Sequence, residues 1–412
     1  MSQSKGTPRN PRINFHFKRP EFDFMFQWIL GAQTNGGVEV GECFYAASEI
    51  REGNEESWIS AWDALGARVL KRAETSLAGG HPVSARESYL RAYSYYRIPL
   101  VFISPVRQPE RYRQQYRKAR SCFEKAAALF DPPLERLKIP FGGKHLPGYF
   151  LPADNSGERR KTLIMIGGGD TFVEDLYAYI GPAGNKRGYH VLLVDLPGQG
   201  LLPFEVMTWR NDSEAPMRAV VDYALGRPEV DGEKLAAYGI SGGGYLVPRA
   251  VTCEKRIKAC VGCSIILDLT QAWNSRWIAL YEKAEHSLLY RLAKALVVRW
   301  RSAYATMVDT YVWRFGAKSV QDLILVTKTA QVDPAQITCP TLNIMSEQEY
   351  AESPQFCGFA EVSQEKISHP IKKLVVLPQD EGADSHAIGT NLSLMSQTVF
   401  DWLDEVLDSD VS

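Results

Sequence analysis

The sequence predicts an α/β protein built on a mostly parallel sheet, with a helical region before it and a helical insertion within it. Three observations lead to this prediction. The chain reads as helical up to residue 133, eight short apolar runs then alternate with helical patterns, and one gap between two runs is too long for a simple crossover. We therefore expect a helical N-terminal cap over 1–133, an α/β domain over 134–267 and 337–412, and a helical lid insertion over 268–336.

Amphipathic patterns make the first third of the chain helical. Apolar residues recur at helical spacing after Asn54, which is a favourable N-cap residue. Ser84 and Glu87 have the spacing of a capping box. The last of these patterns stops before the Asp-Pro-Pro of 131–133, which cannot continue a helix. The aromatic stripes on these helices indicate helix-packing surfaces.

The sheet is predicted from short apolar runs of strand length. Helical patterns fill several of the gaps between them, which favours parallel strands with helical crossovers. The runs cover 137–141, 149–151, 162–166, 190–195, 235–240, 260–266, 341–345 and 374–377.

The long gap between the sixth and seventh runs holds about three helices' worth of sequence and is rich in aromatic residues. Long insertions in compact domains are usually lids or binding elements. We predict a lid here, with the following aromatic residues: Trp273, Trp277, Tyr281, Trp300 and Trp313.

Charge and apolar patterning exclude several classes of partner. The 47 basic and 48 acidic side chains give a formal net charge of −1 and form no long single-sign run, so neither nucleic acid nor an anionic membrane is expected as a partner. No run of 18 apolar residues suggests a membrane span, and the polar segment 1–20 has no signal-peptide pattern.

The seven cysteines are scattered, which suggests reduced thiols and a cytoplasmic protein. Cys260 and Cys263 form a CxxC, but no second ligand pair lies near it, and the run 260–266 reads as a buried strand. No metal site is therefore predicted.

The strongest chemical signal is the Gly-Ile-Ser-Gly-Gly of residues 239–243, which fits G-x-S-x-G. It directly follows the predicted strand 235–240 and precedes an apolar stretch that can begin a helix, which is the context of a nucleophile elbow. The flanking glycines allow strand and helix to approach closely around a strained serine. We predict Ser241 as the nucleophile and the Gly242 N–H as an oxyanion donor. The alternative is a glycine-rich turn without chemistry.

A second oxyanion donor should lie in the loop after an earlier strand. Gly167-Gly168-Gly169-Asp170 follows the predicted strand 162–166 directly, and we assign the donor to Gly169. The segment is not a phosphate-binding loop of the Walker type, because no Gly-Lys-Ser/Thr follows it.

The general base is predicted from chain order, which in this type of site is serine, acid, histidine. His386 follows the last predicted strand, where the base belongs, whereas His369 precedes it. The acid is less well defined. Glu349 lies in the loop after the strand 341–345, and Glu347 and Asp268 are alternatives, the latter because it follows the strand 260–266.

Four segments together resemble a subgroup of α/β-hydrolases: 167–170, the Asp-Leu-Pro-Gly-Gln-Gly of 195–200, 239–243 and 382–386. The subgroup includes the 2,6-dihydropseudooxynicotine hydrolase of nicotine breakdown, the fermentation–respiration switch proteins and fungal polyketide-pathway hydrolases. The resemblance covers residues 90–405. At two positions the chain departs from the subgroup's common pattern, with Leu196 in place of Gly and Glu349 in place of Asp.

The resemblance implies an α/β-hydrolase fold with the substrate between the cap and the catalytic domain. It also implies that some members hydrolyse a carbon–carbon bond beside a ketone, with help from a carboxylate near the oxyanion loop. Asp170 and Glu174 lie in the matching segment and are candidate auxiliary residues, although Glu174 could equally begin a helix. A homodimer is a further expectation from the subgroup.

We therefore predict a serine hydrolase without metal or organic cofactor, acting on a bulky, largely apolar or aromatic small molecule. The bond is a carbon–carbon bond of a β-diketone-like substrate, or an ester, in a specialised-metabolite or catabolic pathway. Two alternatives stay open. One is acyl transfer or cyclisation by the same triad in polyketide-type biosynthesis, and the other is a ligand-binding protein in which Ser241 is silent.

Overall fold

The computed structural model describes residues 13–272, 283, 287–289, 292 and 302–409. The first part of the chain forms a helical cap, in which α4 packs against both α3 and α5. Buried tryptophans and tyrosines fill the core of this cap, including Trp58, Trp62 and Tyr95. Its helices are α1 Pro20–Gly31, α2 Val40–Ser48, α3 Glu55–Ala78, α4 Pro82–Arg97 and α5 Pro109–Ala127.

One predicted helix start is confirmed and another is wrong. The Asn54 side chain accepts a hydrogen bond from the Ser57 N–H and caps α3. The Ser84–Glu87 capping box does not form, because Pro82 already provides the first turn of α4. Ser84 consequently lies inside the helix.

An eight-stranded sheet follows the cap. The strands are β1 Glu135–Phe141, β2 Lys144–Leu151, β3 Arg160–Ile166, β4 His190–Val194, β5 Val230–Ile240, β6 Ala259–Cys263, β7 Thr341–Ser346 and β8 Lys372–Leu377. Their order is β1-β2-β4-β3-β5-β6-β7-β8. The pairs β1–β2 and β2–β4 are antiparallel and all the pairs from β4 to β8 are parallel, so the predicted mostly parallel sheet is confirmed.

Helices cover both faces of the sheet. Both faces carry apolar side chains that must be buried, because successive side chains of a strand point to opposite faces. In β3, Leu163 and Met165 pack in the core on the cap side, whereas Ile164 and Ile166 pack in the core on the other side. The first face is covered by α6 Asp175–Asn185 and α14 Leu392–Leu407, and the second by α7 Glu214–Leu225, α8 Gly243–Val251 and α13 Pro354–Lys366.

Each of the eight predicted runs overlaps a strand, although β2 and β5 begin before the predicted runs and the sixth run is longer than its strand. The prediction extended it to residue 266, and β6 ends at Cys263. Beyond that point the chain leaves the ladder: the Ile265 N–H donates to the Asn343 side chain, and the Ile266 N–H donates to the Gly244 carbonyl. Apolar composition continues through the turn because all these residues are buried.

The insertion between β6 and β7 contains helices α9 Leu269–Ala272, α10 Ser302–Arg314 and α11 Val320–Thr327. A short helix, α12 Glu347–Glu352, follows β7 directly. Of the aromatic residues predicted for the lid, Trp313 lies in α10 and is half-buried, and the other four lie outside the described residues. Among the helices that the structure describes, none has the length and apolar character needed to cross a membrane.

Candidate active site

The predicted nucleophile, acid and base all follow carboxyl ends of parallel strands. Ser241 follows β5, Glu349 lies in α12 just after β7, and His386 lies in a short 3-10 turn, His386–Ile388, in the segment after β8. Because parallel strands end at one edge of the sheet, this edge is where an α/β protein builds its site. The topology thus brings together residues that are far apart in sequence.

Ser241 occupies a strained turn between β5 and α8. Its φ is +52°, a left-handed conformation that is costly for a residue with a side chain. The turn closes tightly, since a Cβ on Gly239 would lie 2.0 Å from the Gly243 carbonyl oxygen. Glycine at position 239 therefore lets the end of β5 touch the start of α8, as the elbow pattern predicts.

A continuous chain of hydrogen bonds joins the three side chains. His386 Nε2 lies 2.9 Å from Ser241 Oγ, and His386 Nδ1 lies 2.5 Å from Glu349 Oε1. The other oxygen of the fully buried Glu349 carboxylate accepts a hydrogen bond of 3.0 Å from the Ser264 hydroxyl. Nδ1 donating to the carboxylate leaves Nε2 free to accept the serine proton, which is the arrangement a general base needs.

The two alternative acids are engaged elsewhere. Glu347 accepts a hydrogen bond from the Gln379 N–H. Asp268 accepts from the N–H groups of Thr270 and Gln271 and so holds the start of α9. Geometry thus favours Glu349 among the three carboxylates that the sequence left open.

The glycine loop after β3 lies against the serine turn. A Cβ on Gly168 would lie 2.9 Å from the Ser241 Cβ, and a Cβ on Gly242 would lie 3.0 Å from the Gly169 nitrogen. The amide of Gly169 and the turn at Gly242 are therefore neighbours beside Ser241. This is the placement expected for the two donors of an oxyanion hole.

Gln199 holds this loop, a role that the sequence prediction missed. Its fully buried side chain donates to the carbonyls of Gly167 (2.6 Å) and Gly168 (3.1 Å) and accepts from the Leu196 N–H (2.8 Å). The available signal was the Asp-Leu-Pro-Gly-Gln-Gly motif, which follows β4, the strand beside β3. The motif alone does not reveal what Gln199 contacts, because the partners lie in a backbone segment about 30 residues earlier.

Two aromatic rings form walls beside the predicted oxyanion donors. A Cβ on Gly169 would lie 2.6 Å from Tyr311 Cε1, so the Tyr311 ring rests on this glycine. The Trp209 ring similarly approaches Gly242, at 3.3 Å from an added Cβ. Trp209 also stacks on Phe315, with 4.6 Å between the ring centroids. Tyr311 and Phe315 come from α10 and the residue after it, so the insertion contributes to the site.

The candidate auxiliary carboxylates have different surroundings. The backbone carbonyl of Asp170 accepts a hydrogen bond from Arg97 of α4, and its side chain is half-buried. The Glu174 carboxylate is buried and accepts hydrogen bonds from the hydroxyl groups of Tyr116 (2.9 Å) and Tyr149 (3.4 Å). Burial raises the pKa of Glu174 to about 7, although Arg120 lowers it in part.

With this geometry defined, comparison with known proteins places the chain in a family. The family described as FrsA-like esterase matches residues 44–283, which is more than half of the chain. The chain belongs to the FrsA-like esterase family. The protein is therefore a hydrolase, and its fold is that of the α/β-hydrolases.

Relatives of this chain include fungal hydrolases. The chain is 29% identical over 408 residues to hydrolase LUC6 from a Fusarium species, covering 93% of this chain and 96% of that protein. It is 31% identical over 348 residues to 20-hydroxy-prefusarin hydrolase FUS2 from Gibberella moniliformis, covering 78% and 80%.

A solved structure of similar fold is that of 2,6-dihydroxy-pseudo-oxynicotine hydrolase. It superimposes with a TM-score of 0.72 at 21% identity, covering 92% of this chain and 95% of the other. The match includes the cap, so the combination of helical cap and α/β domain is common to the two proteins.

This arrangement can support nucleophilic attack on a carbonyl. It combines a hydroxyl hydrogen-bonded to an imidazole, a buried carboxylate that orients the imidazole, and a glycine loop beside the hydroxyl. Within the described part of the chain, no group of three or more His, Cys, Asp or Glu side chains could hold a metal ion.

Proposed function

We propose that this protein is a serine hydrolase that cleaves a bond next to a carbonyl group in a bulky, largely apolar or aromatic small molecule. The observation that carries the proposal is the hydrogen-bonded chain from Ser241 Oγ through His386 to Glu349. Each residue of that chain has the chemistry of one member of a catalytic triad.

The proposed reaction has two stages. His386 Nε2 removes the Ser241 proton while Oγ attacks the carbonyl carbon, and the N–H groups of Gly242 and Gly169 stabilise the oxyanion. His386 then gives the proton to the leaving group, which departs and leaves an acyl-enzyme. A water molecule, deprotonated by His386, then hydrolyses the acyl-enzyme ester and restores Ser241.

The bond proposed is either the carbon–carbon bond of a β-diketone-like substrate or an ester. In the carbon–carbon case, the electron pair of the broken bond stays on the carbon between the two carbonyl groups and is delocalised into the second carbonyl as an enolate. His386 then protonates that carbon. The names of the similar proteins support small metabolites as substrates, since they specify a pseudo-oxynicotine and a prefusarin. We place the reaction in a specialised-metabolite or catabolic pathway, with Tyr311 and Trp209 as the aromatic walls of the pocket.

Asp170 and Glu174 are the proposed auxiliary carboxylates for such a carbon–carbon cleavage. Asp170 is the better placed of the two, because it directly follows Gly169 in the oxyanion loop. The Glu174 carboxylate lies four residues further on and is bonded to Tyr116 of α5 and Tyr149 of β2.

Labelling with a fluorophosphonate probe tests the nucleophile. We expect labelling of the wild type, none of Ser241→Ala and much slower labelling of His386→Ala. A wild-type protein that fails to react at any pH between about 6 and 8, where a typical histidine deprotonates, would instead favour a ligand-binding protein with a silent serine.

Product analysis in ¹⁸O-labelled water then tests the reaction type. Incubation with a panel of aryl β-diketones and aryl esters should place one solvent oxygen in the carboxylic acid product. Acyl transfer or cyclisation would give products without that oxygen, and would replace hydrolysis as the assigned reaction.

A further inference from the structure

The segment that carries His386 is held in an unusual backbone conformation. Ala387 and Ile388 both adopt positive φ, at +58° and +54°, and both are buried. Two adjacent left-handed residues with side chains persist only where the surroundings determine them. One such contact is a hydrogen bond of 2.6 Å from the Tyr179 hydroxyl to the Ala387 carbonyl.

A second contact comes from the first helix of the cap. Gly31, the last residue of α1, lies against Gly389 so closely that a Cβ on Gly31 would be 1.7 Å from the Gly389 carbonyl oxygen. A Cβ on Gly389 would in turn be 2.5 Å from Cδ1 of the Trp28 ring. Helix α1 therefore touches the backbone three residues after His386.

Neither glycine is required by its own backbone angles. Gly31 has φ −57° and Gly389 has φ −61°, values that any residue adopts without strain. Both positions require glycine because the absence of a side chain permits this close approach. The contact is thus specific to the packing of α1 on the His386 segment.

We infer that Gly31 of the cap is a positioning residue for His386, acting through Gly389. This inference rests on the proposed function of His386 as general base. Because Ser241 and Glu349 lie on other segments of the chain, a displacement of Gly389 moves the imidazole relative to both of its partners. Catalysis tolerates such a displacement poorly, since a misplacement of about 1 Å can cost about 100-fold in rate.

The surroundings allow the contact to be changed without loss of the fold. A mostly apolar cavity runs alongside it and is lined by residues of α1, α4, α6 and the start of α14, among them Met25, Tyr93, Ala178 and Leu392. Gly389 borders this cavity, so the His386 segment has free space beside it in which to shift when a methyl group is added at position 31. Displacement rather than unfolding is the expected response.

The experiment compares Gly31→Ala and Gly389→Ala with Gly41→Ala as the control. Gly41 lies in α2, and a Cβ there would meet nothing within 4 Å. We expect both test variants to fold, by circular dichroism, and to react with the fluorophosphonate at least about ten-fold more slowly. Their rate–pH profiles should approach that of His386→Ala, and Gly41→Ala should match the wild type.

A rescue variant separates positioning from a general loss of structure. Trp28→Leu removes the ring that a Cβ at 389 would strike, so Trp28→Leu/Gly389→Ala should recover most of the lost rate. Hydrogen–deuterium exchange gives a readout independent of reactivity, and Gly31→Ala should speed exchange across 382–392 without changing it at 235–245.

The outcomes are distinct. Wild-type rates and exchange in both Gly31→Ala and Gly389→Ala would overturn the inference. If Gly31→Ala fails to fold, Gly389→Ala and its rescue decide, and absence of rescue counts against positioning. If the wild type does not react but Gly31→Ala still speeds exchange at 382–392, the proposed function is wrong while the coupling of cap and segment is right.

Discussion

Glu349 provides the carboxylate of the proposed triad at a position where an aspartate is common in related enzymes. Hydrogen bonds hold both its backbone and its longer side chain. The Ser346 hydroxyl accepts a hydrogen bond from the Glu349 N–H, and the Ser264 hydroxyl donates to Oε2. A buried carboxylate needs such partners, because burial without them would disfavour its charged form.

Replacing this carboxylate should cost activity with little loss of fold. Glu349→Gln keeps the shape but cannot hold the imidazole tautomer that accepts the serine proton, so we expect kcat to fall by about 10³–10⁴-fold. Steady-state kinetics on an aryl ester measures the effect. Glu347→Gln, two residues earlier and bonded to Gln379, is the matched control, and an equal loss there would contradict the assignment of Glu349.

Gln199 should act on the rate through the glycine loop. Gln199→Met fills similar space but leaves the Gly167 and Gly168 carbonyls without their donor, so the loop loses its fixed position. We expect kcat to fall by about 10–100-fold with a small change in KM. The control is Gln115→Met, which removes another buried amide and its bond to the Tyr96 carbonyl inside the cap. It should lower the melting temperature and leave kcat unchanged.

At the residue scale, the sequence identified the candidates that carry a local pattern. Ser241 is marked by its glycines and His386 by its place after the last strand. Three carboxylates were open as the acid, and only the path of the chain in space distinguishes Glu349 from Asp268. The roles of Gln199 and Gly31 cannot be predicted from the sequence, because the residues they contact lie far away along the chain.

At the scale of elements, the strands were the most predictable feature. A strand buried on both faces is a short, continuous apolar run, as in β4, β6 and β7, and each of the eight predicted runs overlaps a strand. Their ends were less predictable. Burial continues past Cys263 although the ladder stops there, and Pro82 starts α4 before the serine that resembled a cap. Apolar composition reports burial, whereas the end of an element depends on individual hydrogen bonds.

The insertion helix α10 is fastened to the cap by polar contacts. Asp309 accepts hydrogen bonds from the Ser104 hydroxyl (2.7 Å) and Arg107 Nε (2.6 Å), and Arg107 also donates to Thr306. Tyr311, which rests on Gly169, lies two residues beyond Asp309 in the same helix. The contacts of Asp309 with Ser104 and Arg107, which we call the latch, therefore hold the helix that carries one wall of the proposed pocket.

Loosening this latch should affect substrate binding more than chemistry. We expect Asp309→Ala to speed hydrogen–deuterium exchange in α10 and to raise KM several-fold, with kcat changed less, because the triad lies on other elements. Arg111→Ala is a suitable control, since Arg111 pairs with Glu56 inside the cap. Exchange in α10 that stays at the wild-type rate in Asp309→Ala would show that other contacts hold the helix.

At the scale of the whole molecule, acidic groups are buried where the cap meets the α/β domain. Glu174 faces Tyr116 of α5 and Tyr149 of β2, and Asp195 lies nearby at the end of β4. Burial and the charge of Glu174 raise the pKa of Asp195 well above its usual range. Two such groups favour a bound proton in the folded state.

Stability should consequently fall as the pH rises. The folded-state pKa of Glu174, about 7, lies above the ordinary 4.5, so the folded protein holds a proton that the unfolded chain has released. The free energy of unfolding should decrease between about pH 4.5 and 7, by up to about 3 kcal/mol for this group. Urea unfolding of the wild type and Glu174→Gln across this range tests the effect, which the variant should largely lack. Parallel curves for the two proteins would contradict it.

The contact between Gly31 and Gly389 also has a consequence for the order of assembly during synthesis. The last turn of α1 is made roughly 360 residues ahead of the segment beyond His386, a delay of about 20–70 seconds at typical rates of elongation. Throughout that interval Phe22 of α1 can pack on Trp58 of α3, but the contact of Gly31 with Gly389 cannot form. The serine turn and the glycine loop of a nascent chain are therefore synthesised well before His386 is positioned. Reactivity should arise only when the last turn of α1 packs against the segment beyond His386.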